Sequence, residues 1–207
     1  MIGGLVACAA LAAAAVVLSG RDDSRRATAT ALSSEGRELV GLLDKGMAAT
    51  YHARYRSVLG DPRAQGTQMT MDVWRSGQLT RQEVAVQAQS ARSRSATFQV
   101  PPQSFQCTQT GDGPWRCSPP GDARPVEPPE SAIREELARG PIAARDDTIG
   151  GVPVRCFTFA PGGDMGETCL LPDGALARMT TESSRFELVA FTTTVSPDAF
   201  ALPAAPG

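Results

Sequence analysis

Four cysteines carry the most definite chemistry in this sequence. Cys107 and Cys117 stand 10 positions apart, and Cys156 and Cys169 stand 13 apart. Thiols so placed either oxidise in pairs or hold a metal as thiolates. Structural zinc sites take their cysteines in pairs about two to four residues apart. The four cysteines offer no such pair, so disulfides are the stronger reading and no metal site is expected. Four cysteines permit three pairings. The sequential one, Cys107–Cys117 and Cys156–Cys169, asks only for two local hairpins. Each bond would close a short loop and contribute about 2–3 kcal/mol. Structural disulfides belong outside the cytoplasm.

Other reactive side chains are sparse. His52 is the single histidine, on the polar side of an alternating segment beside Arg54 and Arg56. A lone exposed histidine there is ordinary surface. Asp146-Asp147 and Asp22-Asp23 are adjacent, and neighbours on an extended chain point in opposite directions, which is poor geometry for acid/base work. No Gly-x-Ser-x-Gly elbow, phosphate loop or His-Glu-x-x-His occurs. No catalytic residue, no cofactor and no enzyme activity are therefore expected. Formal net charge is −2 with no basic block, so nothing invites nucleic acid. Lys45 is the only lysine among 20 basic residues, a bias that fits a GC-rich genome better than a binding patch.

The elements that must position the cysteines are mainly strands. Cys156 and Cys169 sit in two β-rich runs separated by Pro161-Gly162-Gly163-Asp164, and Pro172-Asp173-Gly174 launches a third run. Period-two alternation recurs upstream. Tyr51, Ala53 and Tyr55 share a face, as do Met69, Met71 and Val73, with Thr70, Asp72 and Trp74 opposite. Val84, Val86 and Ala88 follow, then Ala96, Phe98 and Val100. Phe105–Thr108 and Trp115–Cys117 frame the first cystine hairpin. Arg185–Val195 reads as the last strand or strand pair, and 197–207 as an extended tail. Helices are few. Ser33 or Ser34 can cap one that carries Leu32, Leu39, Leu43 and Met47 near a 3.6-residue period and ends near Ala49. A second, short helix is expected over Ser131–Arg139. Five prolines between Ser118 and Glu130 forbid a ladder strand there. The pattern predicts an α+β domain: an antiparallel sheet with one apolar and one polar face, and two helices to lie against it.

The N-terminus reads as a targeting segment. Ile2 to Gly20 is uncharged and Ala-rich, and reads as a signal peptide or membrane anchor (1–20) followed by a tether (21–30) and the folded domain (31–207). Arg21, Arg25 and Arg26 would favour the cytoplasm. Asp22, Asp23 and the cysteine pattern weigh against that placement. Cys8, inside the apolar run, reads as a small apolar residue, with lipidation the rival.

The order of elements, together with the tail Val195-Ser196-Pro197-Asp198-Ala199-Phe200-Ala201-Leu202-Pro203 and the two cystine hairpins, resembles the LolA-like and LppX/LprG-like lipoprotein-carrier superfamily in its actinobacterial envelope branch. That resemblance implies that the sheet is curved into an unclosed half-barrel, with the N-terminal and the short central helix on its concave face, and that an apolar cavity under the sheet holds lipid or lipoprotein acyl chains. The residues themselves allow it, because a one-sided apolar sheet must bury its face and two modest helices cover little. Met69, Met71, Val73, Val84, Val86, Phe98 and Val100 are the candidate lining. A sensor or protein-interaction module of the same architecture with a filled core is the alternative. The expected setting is extracytoplasmic, with the membrane reached through the N-terminal segment, and an envelope protein as a further partner.

Overall fold

The computed structural model describes residues 32–59, 68–88, 91–120, 129–137, 140–159, 165–181 and 184–207. Leu32–Gly207 forms one compact unit. The targeting segment and tether expected at 1–20 and 21–30 lie outside the described residues. Among the described residues no helix is long and apolar enough to cross a membrane.

Among the described residues, eleven strands form one sheet: β1 (Thr50–Leu59), β2 (Gln68–Ser76), β3 (Leu79–Ala88), β4 (Ala91–Val100), β5 (Gln103–Thr110), β6 (Arg116–Cys117), β7 (Ala143–Ile149), β8 (Val152–Thr158), β9 (Met165–Leu170), β10 (Leu176–Thr181) and β11 (Ser184–Thr192). Their spatial order is β6-β5-β4-β3-β2-β1-β11-β10-β9-β8-β7. Each arm is thus a meander of sequential antiparallel hairpins, and β1 pairs with β11 in the middle. The sheet does not close, and the α+β unclosed half-barrel that the resemblance implies is the observed fold.

Helix α1 (Ser34–Ala48) begins where Ser33 accepts a hydrogen bond from the Gly36 N–H at 3.1 Å, a side-chain N-cap. It buries Leu39 and Leu43, while Leu32 and Met47 stay exposed. Helix α2 (Pro129–Leu137) starts on a proline, which suits the first turn, and begins two residues before the expected start. Leu39, Leu43, Ile133 and Leu137 pack with Ile142, Phe157, Phe159 and Leu170. Both helices therefore cover the arm made of β8, β9 and β10. At its C-terminal end α1 touches the β9–β10 turn backbone to backbone. A methyl group added at Gly46 would collide with the Gly174 carbonyl, and Gly174 itself has φ +86°.

Both disulfides form as the sequential pairing predicts. Cys107–Cys117 links β5 to β6, and Cys156–Cys169 links β8 to β9. The four thiols are consumed in these bonds, which replaces the zinc alternative.

One expectation about faces is corrected. Ala96 and Phe98 do not share the face of Met71 and Val84. The β3–β4 register sets Arg81 opposite Phe98 and Glu83 opposite Ala96, which turns the apolar side of β4 to the convex surface. Val100 has the same parity as Phe98. On that side Ala96, Phe98, Phe105, Cys107 and Cys117 form their own small core, against which Trp115, Leu202 and Ala204 pack. The tail is therefore structured. It makes a 3₁₀ turn (Pro197–Phe200), its Ala199 carbonyl accepts from Arg81 Nη1 at 3.0 Å, and its Pro206 bridges to Cys117 in parallel sense.

Candidate functional site: a cavity under the concave face

The helices leave the β1–β4 arm of the concave face partly uncovered, and a cavity of about 500 Å³ lies there. That volume sits within the range of about 300–1,000 Å³ typical of small-molecule sites. Helix α1 supplies Leu43, Met47 and Ala48, α2 supplies Ile133, and the β9–β10 region supplies Leu170, Gly174 and Leu176. The floor comes from the sheet. Strand registers lay its side chains out in rows: Tyr51–Arg75–Thr80–Gln99, then Ala53–Val73–Gln82–Thr97, then Tyr55–Met71–Val84–Ser95. All the floor residues but Ala53, Val84 and Ser95 line the cavity.

The floor changes character across the strands. β1 and β2 present Tyr55, Met71 and Val73, whereas β3 and β4 present Thr80, Gln82, Thr97 and Gln99. Among the described residues that line the cavity, Arg75 is the one charged side chain, and it is buried. Tyr55 Oη donates to the Leu176 carbonyl at 3.0 Å, and Gln82 Nε2 contacts Met71 Sδ at 3.1 Å. Tyr51 stacks at a tilt on Phe191, with ring centroids 5.7 Å apart. Met47, at 45% exposure, stands at the rim.

Of the residues expected to line the site, Met71 and Val73 do. Met69, Val84 and Val86 share that face by register without bordering the cavity. Phe98 and Val100 lie on the opposite surface. Sequence reasoning misses the polar wall. Its signal lies in the alternate positions of β4, where Ser95, Thr97 and Gln99 interleave with Ala96 and Phe98, but only the hairpin register says which set faces the cavity.

The convex surface is an electrostatic lattice. His52 Nε2 lies 2.7 Å from Asp72 Oδ1, which also accepts from Arg54 Nε at 2.8 Å. His52 stacks on Trp74 at 4.5 Å between centroids, and the Arg81 guanidinium sits 4.4 Å from the Trp74 ring centroid. Arg81 and Arg94 both pair with the buried Glu83. On the other arm Arg178 Nη2 reaches Asp147 at 2.8 Å and Glu167 at 2.7 Å, and Arg145 bonds both carboxylates as well. The Asp147 carboxyl is drawn down to about 2, first by the Arg178 hydrogen bond and then by the Thr148 N–H. Burial pushes the Glu167 carboxyl up, but Arg145 and Arg178 outweigh it and leave it below its usual range. The adjacent pair Asp146 and Asp147 diverges as extended backbone requires: Asp146 pairs with Arg155, and Asp147 with Arg178. Glu167, Cys156 and Cys169 also cluster, but the two sulfurs are bonded to each other.

No family model matches the chain, and no curated protein matches it. Solved structures do. The MucA/MucB complex of Pseudomonas aeruginosa aligns at a TM-score of 0.50 and 14% identity, over 80% of this chain and 60% of that one. A structure of MucB in complex with MucA(peri) gives 0.47 and 14%, over 80% and 59%. An uncharacterized conserved protein from Thermus thermophilus gives 0.49 and 11%, over 80% and 91%. The chain thus spans about 60% of the length of the MucB chains it matches. At this identity the likeness is one of fold alone.

Proposed function

We propose that this chain is a non-catalytic module of the cell envelope that holds an apolar ligand, a lipid or the acyl chains of a lipoprotein, in the cavity beneath its sheet. The carrying observation is that cavity: about 500 Å³, walled on one side by Leu43, Tyr55, Met71, Val73 and Leu176, and left open by helices that cover the other arm. Two disulfides support a setting outside the cytoplasm, and 1–20 with the tether 21–30 would hold or deliver the domain at the membrane. Placement with LppX/LprG-like actinobacterial proteins rests on the tail phrase and the positions of the cystines. Organic extraction of the purified chain followed by mass spectrometry tests the reading. A bound amphiphile is expected, and Val73→Trp, which fills the cavity, should cut uptake of a fluorescent acyl probe at least tenfold. Absence of any co-purifying amphiphile together with no probe uptake would overturn it.

A second reading has its own support. The fold resembles that of MucB, which was solved in complex with MucA, so a protein-binding or sensor role in the envelope fits the same scaffold. Capture of one defined envelope protein with equal affinity by wild type and Val73→Trp would favour this reading over the first.

A further inference from the structure

The cavity floor has two unlike halves, and the polar half spends little of its hydrogen-bonding capacity on the chain. The register sets Thr80 opposite Gln99 and Gln82 opposite Thr97, so four neutral side chains of β3 and β4 form one block on the concave face. Strand spacing and rise make that block about 5 by 7 Å, the footprint of a glycerol unit or one sugar ring. All four residues are half-buried. Among the described residues, Thr80, Thr97 and Gln99 make no side-chain hydrogen bond within the chain, and Gln82 Nε2 donates only to the Met71 thioether, at 3.1 Å, a weak acceptor. Arg75 and Tyr51, at the end of the Thr80 row, already have partners within the fold, so what this wall has to offer is neutral hydrogen bonding. Beside it, β1 and β2 give the apolar floor of Tyr55, Met71 and Val73. Hydrocarbon pressed onto the block would strip its water and return nothing, at a cost for each amide and hydroxyl. A carboxylate or phosphate would give up its own hydration to a wall that brings no cation. A hydroxyl both donates and accepts, as the Thr and Gln side chains do, so a hydroxyl-bearing head satisfies both sides.

We infer that the cavity selects amphiphiles whose head is uncharged and carries adjacent hydroxyls, a glycerol or a single sugar, seated on Thr80, Gln82, Thr97 and Gln99 with the hydrocarbon over Met71 and Val73. The inference rests on the apolar-ligand reading above and adds a head-group class and a direction to it. A few placed polar groups in a mainly apolar pocket are what fix a ligand's orientation. Gln82 exchanges the Met71 sulfur for a hydroxyl oxygen, the better acceptor, and Met71 is then released to shape itself against the chain.

The test is calorimetric titration of the delipidated full chain with four probes of matched hydrocarbon length: monopalmitoylglycerol, hexadecyl glucoside, palmitate and methyl palmitate. Wild type should bind the two hydroxyl-bearing probes about tenfold more tightly than palmitate or methyl palmitate, the effect of one or two hydrogen bonds of ordinary net strength. The double variant Gln82→Leu with Gln99→Leu should lose that preference while its affinity for methyl palmitate holds or rises. Thr97→Val keeps the shape of the side chain and suits a strand. It should weaken binding of the hydroxyl-bearing probes alone, which covers the case in which the double variant fails to fold. The tighter of the two hydroxyl-bearing probes tells the glycerol from the sugar as the preferred head. Equal binding of all four probes by wild type, tightest binding of palmitate, or an intact preference in the folded variants overturns the inference and leaves the apolar-ligand reading standing. No binding of any probe by folded wild type overturns both.

Discussion

At the scale of single residues, the most informative contacts are those between Arg178 and its two carboxylates. Asp147 has a folded-state value of about 2 against an ordinary 3.8. A depressed carboxyl stabilises the fold wherever it is ionised, and the contribution is fully present above the unfolded value. It disappears as pH falls from about 3.8 through about 2, and Glu167, also lowered, acts in the same direction. The melting temperature should therefore drop across that window. Asp147→Asn should be less stable at neutral pH and should fall less steeply in acid, as followed by circular dichroism. Parallel acid profiles for variant and wild type would remove Asp147 from the account. The pair is only partly buried, so solvent screening keeps the effect modest.

At the scale of elements, the strands are readable because alternation fixes which residues of one strand share a face. It does not say how the faces of successive strands match. Phe98 and Val100 show the gap: pairing of Phe98 with Arg81 rather than with Gln82 inverts the whole apolar set of β4. The inversion is tolerated because the C-terminal tail supplies Leu202 and Ala204 as a cover. Strand β7 has no legible signal, since Ala-Ala-Arg-Asp-Asp-Thr-Ile lacks an apolar rhythm; it forms on the ladder that β8 presents. The helices are legible to within two residues from their caps and prolines. One contact between elements has no sequence signature, the approach of α1 to the Gly174 turn. Gly46→Ala should cost about 2 kcal/mol or more, because backbone rather than a flexible side chain must give way. Gly41→Ala on the same helix meets nothing within 4 Å and should be neutral or stabilising by up to about 1 kcal/mol. Urea titrations of the two variants check the contrast.

At the scale of the whole molecule, the residues tell more about architecture than about function. Cysteine spacing and repeated turns are enough for the sheet and both disulfides, whereas the cavity is the space left between helices and sheet and has no motif of its own. The two disulfides close loops with sequence separations of 10 and 13, for which chain-entropy estimates give about 2–3 kcal/mol each. The four disulfide-bonded cysteines are all buried. Reduction should therefore need denaturant or heat, and the fully reduced chain should melt well below the oxidised one by differential scanning calorimetry. Equal melting points for the two forms would show that packing alone holds both hairpins.

The pairing of β1 with β11 has a mechanical consequence. Each covalent cross-link lies within one arm of the sheet: Cys107–Cys117 in the β2–β6 arm, Cys156–Cys169 in the β7–β10 arm. Across the sheet itself, the two halves are zipped by one ladder alone, and that ladder carries an irregularity between Arg54 and Tyr55. The protein is thus built as two riveted leaves on an unriveted spine, and the thinnest seam of that spine is β10–β11, with three residue pairs against the eight of β1–β11.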